Sequence, residues 1–172
     1  PAHKELNQRH NQRDLKDMFI LKETHGEALS YARTMTPEEV VGKVKESGLT
    51  GRGGAAFPTG NKWEFLRQSP GERFLVANAD EGEPGTFKDH FILKNNPKLF
   101  IEGMHIAAYA LNANKAYIYL RGEYLSLRDS LQQTIDAFDT PAADIQIIMG
   151  AGAYICGEET AILNSIEQER GN

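Results

Sequence analysis

Only one cysteine, Cys156, stands among the 172 residues, so no disulfide can close within the chain. No charged-then-apolar segment marks its amino-terminal region, and the expectation is a reducing, cytoplasmic setting. Long hydrophobic runs are missing too: the longest are a few residues, against the roughly 20 that a membrane-spanning helix needs. Basic excess is absent, with 19 Lys and Arg against 24 Asp and Glu and a formal net charge of -5. That balance argues against general nucleic-acid affinity, because displacing counterions requires lysines and arginines gathered on one face. The histidines at positions 3, 10, 25, 90 and 105 show no metal-ligand spacing, and no set of nucleophile, base and acid is visible. Cys156 reads more readily as a small buried hydrophobe than as a nucleophile.

What is present fits a globular chain with one core. Hydrophobic residues make up 40% and charged residues 25%, which excludes wholesale disorder. Residues 1–33 are polar and mixed in charge apart from Met18, Phe19 and Ile20, and read as an amino-terminal arm; one domain is expected over residues 34–172. Order starts at Thr36-Pro37-Glu38-Glu39, where a capping residue, a proline at the first helical position and two early acids open a helix that Gly48 closes.

Three β-rich runs follow: Phe74–Asn78, Ala116–Leu120 and Ile145–Met149. Helical periodicity fills the intervals, from Lys98 to Ala113 with Leu99, Met104, Ile106, Ala107, Ala110 and Leu111, and from Leu125 to Phe138 with Leu127, Leu131 and Ile135. Strands alternating with helices predict an α/β fold, a Rossmann-like three-layer arrangement around a small parallel sheet. A sheet of three strands leaves its edges bare. A fragment, or one chain of a tight assembly, is therefore expected.

Three stretches carry candidate chemistry. GRGGAAFPTGNKW, from Gly51 to Trp63, packs four glycines, Arg52 and Lys62 between helix-like segments. It matches G-x-G-x-x-G/A as a string but follows a helix instead of a strand, and it lacks the Gly-Lys-Ser/Thr of a Walker loop. A structural turn and an anion-binding loop both fit. Asn78 to Asp89, NADEGEPGTFKD, sits at the carboxyl end of the first strand, where open α/β sheets place ligands. It fits a solvated acidic turn, a nucleotide site or, less well on its spacing, a calcium loop. Gly150-Ala151-Gly152 has a strand before it and an expected helix from about Gly157 after it; Glu158 and Glu159 there suit the helix dipole and would repel a phosphate. Arg121-Gly122-Glu123-Tyr124 reads as a chain-turning segment.

Taken together, GRGGAAFPTGNKWEF, NADEGEPGTFKD, IEGM, YIYLRGEY and GAGAYICGEETAILNSIE resemble the flavin-binding subunit of respiratory complex I, the NADH:quinone oxidoreductase. They are similar as well to the diaphorase subunits of NAD-linked hydrogenases and the matching subunits of formate dehydrogenases. The resemblance covers about Thr36 to Asn172. It implies a domain that binds FMN, with NADH as hydride donor and electrons leaving singly to a 4Fe-4S cluster. By the same resemblance Gly51, Arg52, Gly53, Gly54 and Lys62 fall on flavin-contacting positions, and Phe57 and Phe65 on aromatics that sandwich the NADH adenine. Asn78, Asp80, Glu81 and Glu83 fall on the acidic segment between flavin and nicotinamide, where Glu83 would fix the carboxamide. Tyr154, Gly157, Glu158 and Glu159 fall on a second loop near both ligands.

The resemblance also implies iron-sulfur partner subunits in a multisubunit dehydrogenase, and a place peripheral to the inner membrane through them. The sequence ends before the family's lysine-containing segment that closes the NADH site, before its asparagine-rich FMN loop and before its cluster cysteines. Its segment Ala137–Asp144 is shorter than usual in complex I, and Ala56 stands where the family more often has glycine. The competing expectation is a truncated, non-catalytic module that keeps some flavin or nucleotide affinity.

Overall fold

The structure, a computed structural model, describes residues 22, 24–150, 162 and 163. The elements in chain order are α1 (Glu27–Ala32), α2 (Pro37–Glu46), α3 (Thr59–Gln68), β1 (Phe74–Ala79), α4 (Lys88–Asn95), α5 (Pro97–Leu111), β2 (Lys115–Leu120), a 3-10 turn (Gly122–Tyr124), α6 (Leu125–Asp136) and β3 (Asp144–Met149). The strands form one open parallel sheet in the order β1-β2-β3. This is the α/β architecture that the strand and helix alternation predicts.

The three strands run in step, Phe74 opposite Lys115 and Lys115 opposite Asp144, so all their carboxyl ends finish on one edge. Alternation then sorts side chains by face. Leu75, Ala77, Ala79, Ala116, Ile118, Leu120, Ile145, Ile147 and Met149 pack against Ile101, Met104 and Ala108 of α5 and Leu127 and Leu131 of α6. On the opposite face Phe74, Val76, Tyr117, Tyr119 and Ile148 cluster with Ile162. Because β2 is covered on both faces, all its residues after Lys115 are buried.

Helix α5 is the structural centre. Eight of its fifteen residues are buried, which marks a helix packed all round, not a surface amphipathic one. One side serves the sheet; another, with Ala110, Ile106 and Tyr109, receives Ala32, Val40, Val41 and Trp63 from the amino-terminal elements. Asn96 starts α5 by accepting the Leu99 N–H, with Pro97 at the first helical position.

Helix α2 opens with a complete capping box: the Thr36 hydroxyl accepts the Glu39 N–H, and the Glu39 carboxylate accepts the Thr36 N–H at 2.7 Å. Its neighbour α3 comes unusually close. A Cβ on Gly60 would stand 2.5 to 2.9 Å from the Cγ, backbone nitrogen and Cα of Lys45, so only glycine permits this crossing. The core also reaches further toward the amino terminus than polar composition indicates. Glu27–Ala32 is helical and buries Leu29 and Ala32, and buried Glu102 of α5 accepts the Leu29 N–H at 2.9 Å.

Candidate functional site

Beyond the carboxyl edge of the sheet lies a cavity of about 720 Å³, within the range of roughly 300–1,000 Å³ usual for small-molecule and cofactor sites. Arg52, Gly53 and Gly54 form one wall. Asn78, Asp80, Glu81, Gly82, Glu83, Thr86, Lys88 and Asp89 form the other. A second cavity, about 440 Å³ between α1, the start of α5 and the end of α6, takes no residue from either wall.

Among the described residues the glycine wall is tied at its neck. Thr50 and Pro58 form an antiparallel bridge, the Gly51 N–H donates to the Phe57 carbonyl at 2.9 Å, and the Thr59 N–H to the Leu49 carbonyl at 2.9 Å. All residues from 51 to 58 are exposed. Gly54 has φ +111 and Ala56 φ +50, left-handed values that cost a residue with a Cβ about 1–2 kcal/mol. A Cβ on Gly53 or Gly54 would meet nothing within 4 Å. The open space therefore lies directly against bare backbone, the geometry in which peptide N–H groups can approach an anion.

The acidic wall is built differently. Asn78 at the end of β1 accepts the Asp80 N–H at 3.1 Å, and tight turns follow, Gly82 N–H to Asp80 carbonyl and Thr86 N–H to Glu83 carbonyl. Glu81 is only 5% exposed. Its carboxylate accepts the N–H groups of Asp89 at 2.9 Å and His90 at 3.2 Å and the Tyr124 hydroxyl at 2.9 Å, with the Lys88 ammonium 3.8 Å away. Helix α4 has no side-chain cap from its own N-cap residue, Phe87; Glu81 supplies that service from upstream. An anionic ligand consequently finds the α4 terminus already occupied, whereas the glycine wall with Arg52 offers it an electropositive side.

Charges in the wall are set by these contacts. Burial pushes the Glu81 carboxyl up, but the two N–H donors, Tyr124 and Lys88 together outweigh it and hold the group below the ordinary carboxylate value. Asp80 moves the other way: burial raises it, Glu123 adds to the rise and Arg121 opposes it. Tyr124 is pushed up to about 12, chiefly by burial and then by its bond to Glu81. The Arg121 guanidinium holds Glu123 at about 2 through contacts of 2.8 and 2.9 Å.

Of the residues singled out in the sequence, Arg52, Gly53, Gly54, Asn78, Asp80, Glu81 and Glu83 meet in this cavity. Gly51 lies at the neck of its loop, and Lys62 is exposed in the first turn of α3. Phe57 and Phe65 are about half exposed, with ring centroids 6.4 Å apart and planes tilted by 48°. Tyr154, Gly157, Glu158, Glu159 and Cys156 lie outside the described residues. Sequence spacing reads Arg121, Glu123 and Tyr124 as a turn; they grip the acidic wall. The available signal was position: YLRGEY leaves the second parallel strand at the same edge where NADEGEP leaves the first. Among the described residues no helix is long and apolar enough to cross a membrane, and no group of three or more His, Cys, Asp or Glu is placed to hold a metal ion.

An open parallel sheet with a glycine loop and an acidic loop walling a cavity beyond its strand ends is the architecture of cofactor-binding α/β domains. Comparison with known proteins narrows this. The chain belongs to the Nuo51 FMN-binding domain family, which matches residues 44–172. It is 48% identical to an NADH-quinone oxidoreductase subunit of Aquifex aeolicus over 88% of this chain and 38% of that protein. It is 44% identical to the alpha subunit of the NAD-reducing hydrogenase HoxS of Cupriavidus necator over 80% of this chain and 25% of that protein. A crystal structure of an NAD+-reducing NiFe hydrogenase in the air-oxidized state superposes with a TM-score of 0.79 at 44% identity, over 88% of this chain and 27% of that one. The chain thus spans well under half the length of these relatives.

Proposed function

We propose that the cavity between the two walls holds FMN and that the full-length protein is the flavoprotein of an NADH dehydrogenase. The observation that carries this reading is the convergence of Arg52-Gly53-Gly54 with Asn78, Asp80 and Glu83 on one cavity at the carboxyl ends of parallel strands. The residues present fit such a group. Bare backbone at Gly53 and Gly54 beside Arg52 suits a phosphate, and the opposite wall offers hydrogen-bond acceptors to ribityl and ring N–H groups. When bound, the flavin supplies acceptance of a hydride and release of single electrons.

The chain's task is then orientation and charge. Gly53 and Gly54 let the backbone close on the cofactor, and Arg52 offsets phosphate charge. Asn78 and Asp80 hold the cofactor from the strand side, while Glu83 accepts hydrogen bonds from the nicotinamide carboxamide. Lys62 favours negative charge on the flavin. Phe57 and Phe65 suit a planar base: inserting a ring between two others requires parallel planes about 7 Å apart, twice the carbon contact distance of about 3.5 Å, so these exposed rings, 6.4 Å apart and tilted by 48°, would turn toward parallel to admit one. The acidic wall disfavours prolonged residence of a dinucleotide and so hastens product release.

Electrons would pass to iron-sulfur centres in partner subunits at the membrane periphery; the names of the relatives, which are subunits of an oxidoreductase and of a hydrogenase, support a multisubunit complex. Stopped-flow reduction of the FMN-loaded full-length protein by NADH tests the reading. Glu83→Gln should slow flavin reduction about tenfold while FMN remains bound. Unchanged reduction would remove Glu83 from its role, and a wild-type protein that NADH does not reduce would end the proposal.

A further inference from the structure

We infer that Tyr124 and Arg121, on the turn leaving β2, are positioning residues that hold Glu81 by its carboxylate and its carbonyl and thereby set where Asp80 and Glu83 stand. The catalytic part of this inference rests on the FMN and NADH reading of the cavity. Its structural part does not.

Register explains how the two segments meet. Ala79 pairs with Leu120 at the ends of adjacent parallel strands, so Asp80-Glu81 and Arg121 leave the sheet side by side. The Arg121 N–H donates to the Ala79 carbonyl at 3.1 Å, extending the ladder one step past the strands. Its guanidinium then turns back: Nη1 donates to the Glu81 carbonyl, while Nε and Nη2 are braced by the Glu123 carboxylate. Glu123 fixes the fork, and the fork fixes the main chain of the acidic wall.

Tyr124 completes the grip from the other end of the same residue. Its hydroxyl donates to Glu81 Oε2 at 2.9 Å, and its ring packs on His90 at 4.9 Å between centroids. Glu81 Oε1 takes the Asp89 N–H. Glu81 is thus held from β2 at both ends and from α4 at its tip, although neither Arg121 nor Tyr124 lines the cavity. Their observed contacts are with the wall itself. Asp80 and Glu83, one residue before and two after Glu81, are the groups whose placement the grip controls. An unpinned run of carboxylates would spread under mutual repulsion and lose the near-attack geometry that hydride transfer requires.

The test uses the full-length, FMN-loaded protein and four forms: wild type, Tyr124→Phe, Arg121→Lys and Arg121→Met. Amide hydrogen exchange at residues 80–90 is read beside the maximal rate of flavin reduction at saturating NADH and the FMN dissociation constant. Tyr124→Phe should speed exchange at Asp89 and His90 and lower the maximal rate about tenfold or more, with FMN affinity within about threefold. Arg121→Lys, which keeps a donor for the Glu81 carbonyl, should recover most of what Arg121→Met loses. Unchanged exchange, or faster exchange with a wild-type maximal rate, would overturn the positioning role. If NADH fails to reduce even the wild type, the proposed function falls, while the exchange data still decide whether these residues hold the wall.

Discussion

The two walls of the cavity solve opposite problems. From Gly51 to Pro58 the chain is exposed, bridged among the described residues at its neck, and offers backbone and one arginine; from Asn78 to Asp89 it is stitched by turns, by a buried glutamate and by two residues of the next strand's exit. A wall that meets an anion with peptide N–H groups needs an absence of side chains, and bound ligand can complete its order. A wall made of carboxylates must be fixed by the protein itself, because like charges held close cost energy until donors offset them. Order in this site therefore tracks the sign of the charge presented.

Breaking the stitched wall should have the largest effect. Glu81→Ala leaves the Asp89 and His90 N–H groups and the Tyr124 hydroxyl without their acceptor, and should cost about 3 kcal/mol in chemical denaturation. The sign with pH follows from the lowered Glu81 carboxyl: its stabilisation is present above the ordinary carboxylate value of 4.5 and is lost as pH falls through its folded value. The difference between wild type and Glu81→Ala should accordingly shrink in acid; a difference independent of pH would contradict the assigned charge state.

The glycine wall should yield first through its support. Gly60→Ala forces a methyl group against Lys45 backbone, and opening the α2–α3 crossing should cost about 2 kcal/mol and weaken ligand binding by moving the neck of the loop. Wild-type stability in this variant would mean that the crossing is not tight. Ala56→Gly should have the smallest effect, and in the opposite direction. Relief of about 1–2 kcal/mol of left-handed strain exceeds the roughly 0.5–1 kcal/mol entropic penalty of glycine, so a net gain of about 0.5 kcal/mol is expected; a loss would show that Ala56 packs usefully.

The strands were legible to within a residue, Phe74–Asn78 against the observed Phe74–Ala79 for example, because short apolar runs between turn residues have few other uses. The helix start at Thr36-Pro37-Glu38-Glu39 was equally plain, since cap, proline and acids are adjacent in sequence, and the structure adds the reciprocal bond between Thr36 and Glu39. Helices α1 and α4 do not show in the pattern. Glu102 reaches α1 from 73 residues away, and Glu81 reaches α4 from eight and nine residues upstream; caps supplied by tertiary structure leave no local spacing to find. For the same reason Arg121 and Tyr124 look like an ordinary turn: their partner is chosen by parallel register, which sequence spacing does not show. The cavity walls themselves were visible as GRGG and NADEGE, but their juxtaposition came from the fold.

Titration of FMN into the flavin-free full-length protein, followed by flavin fluorescence, tests most directly whether these walls enclose a flavin. Saturable binding of one FMN per chain is expected, with Arg52→Ala weakening it about tenfold while leaving denaturation unchanged, as its side chain sits on an exposed loop. Absence of saturable binding by the wild type, or wild-type affinity in Arg52→Ala, would contradict the placement of FMN against the glycine wall.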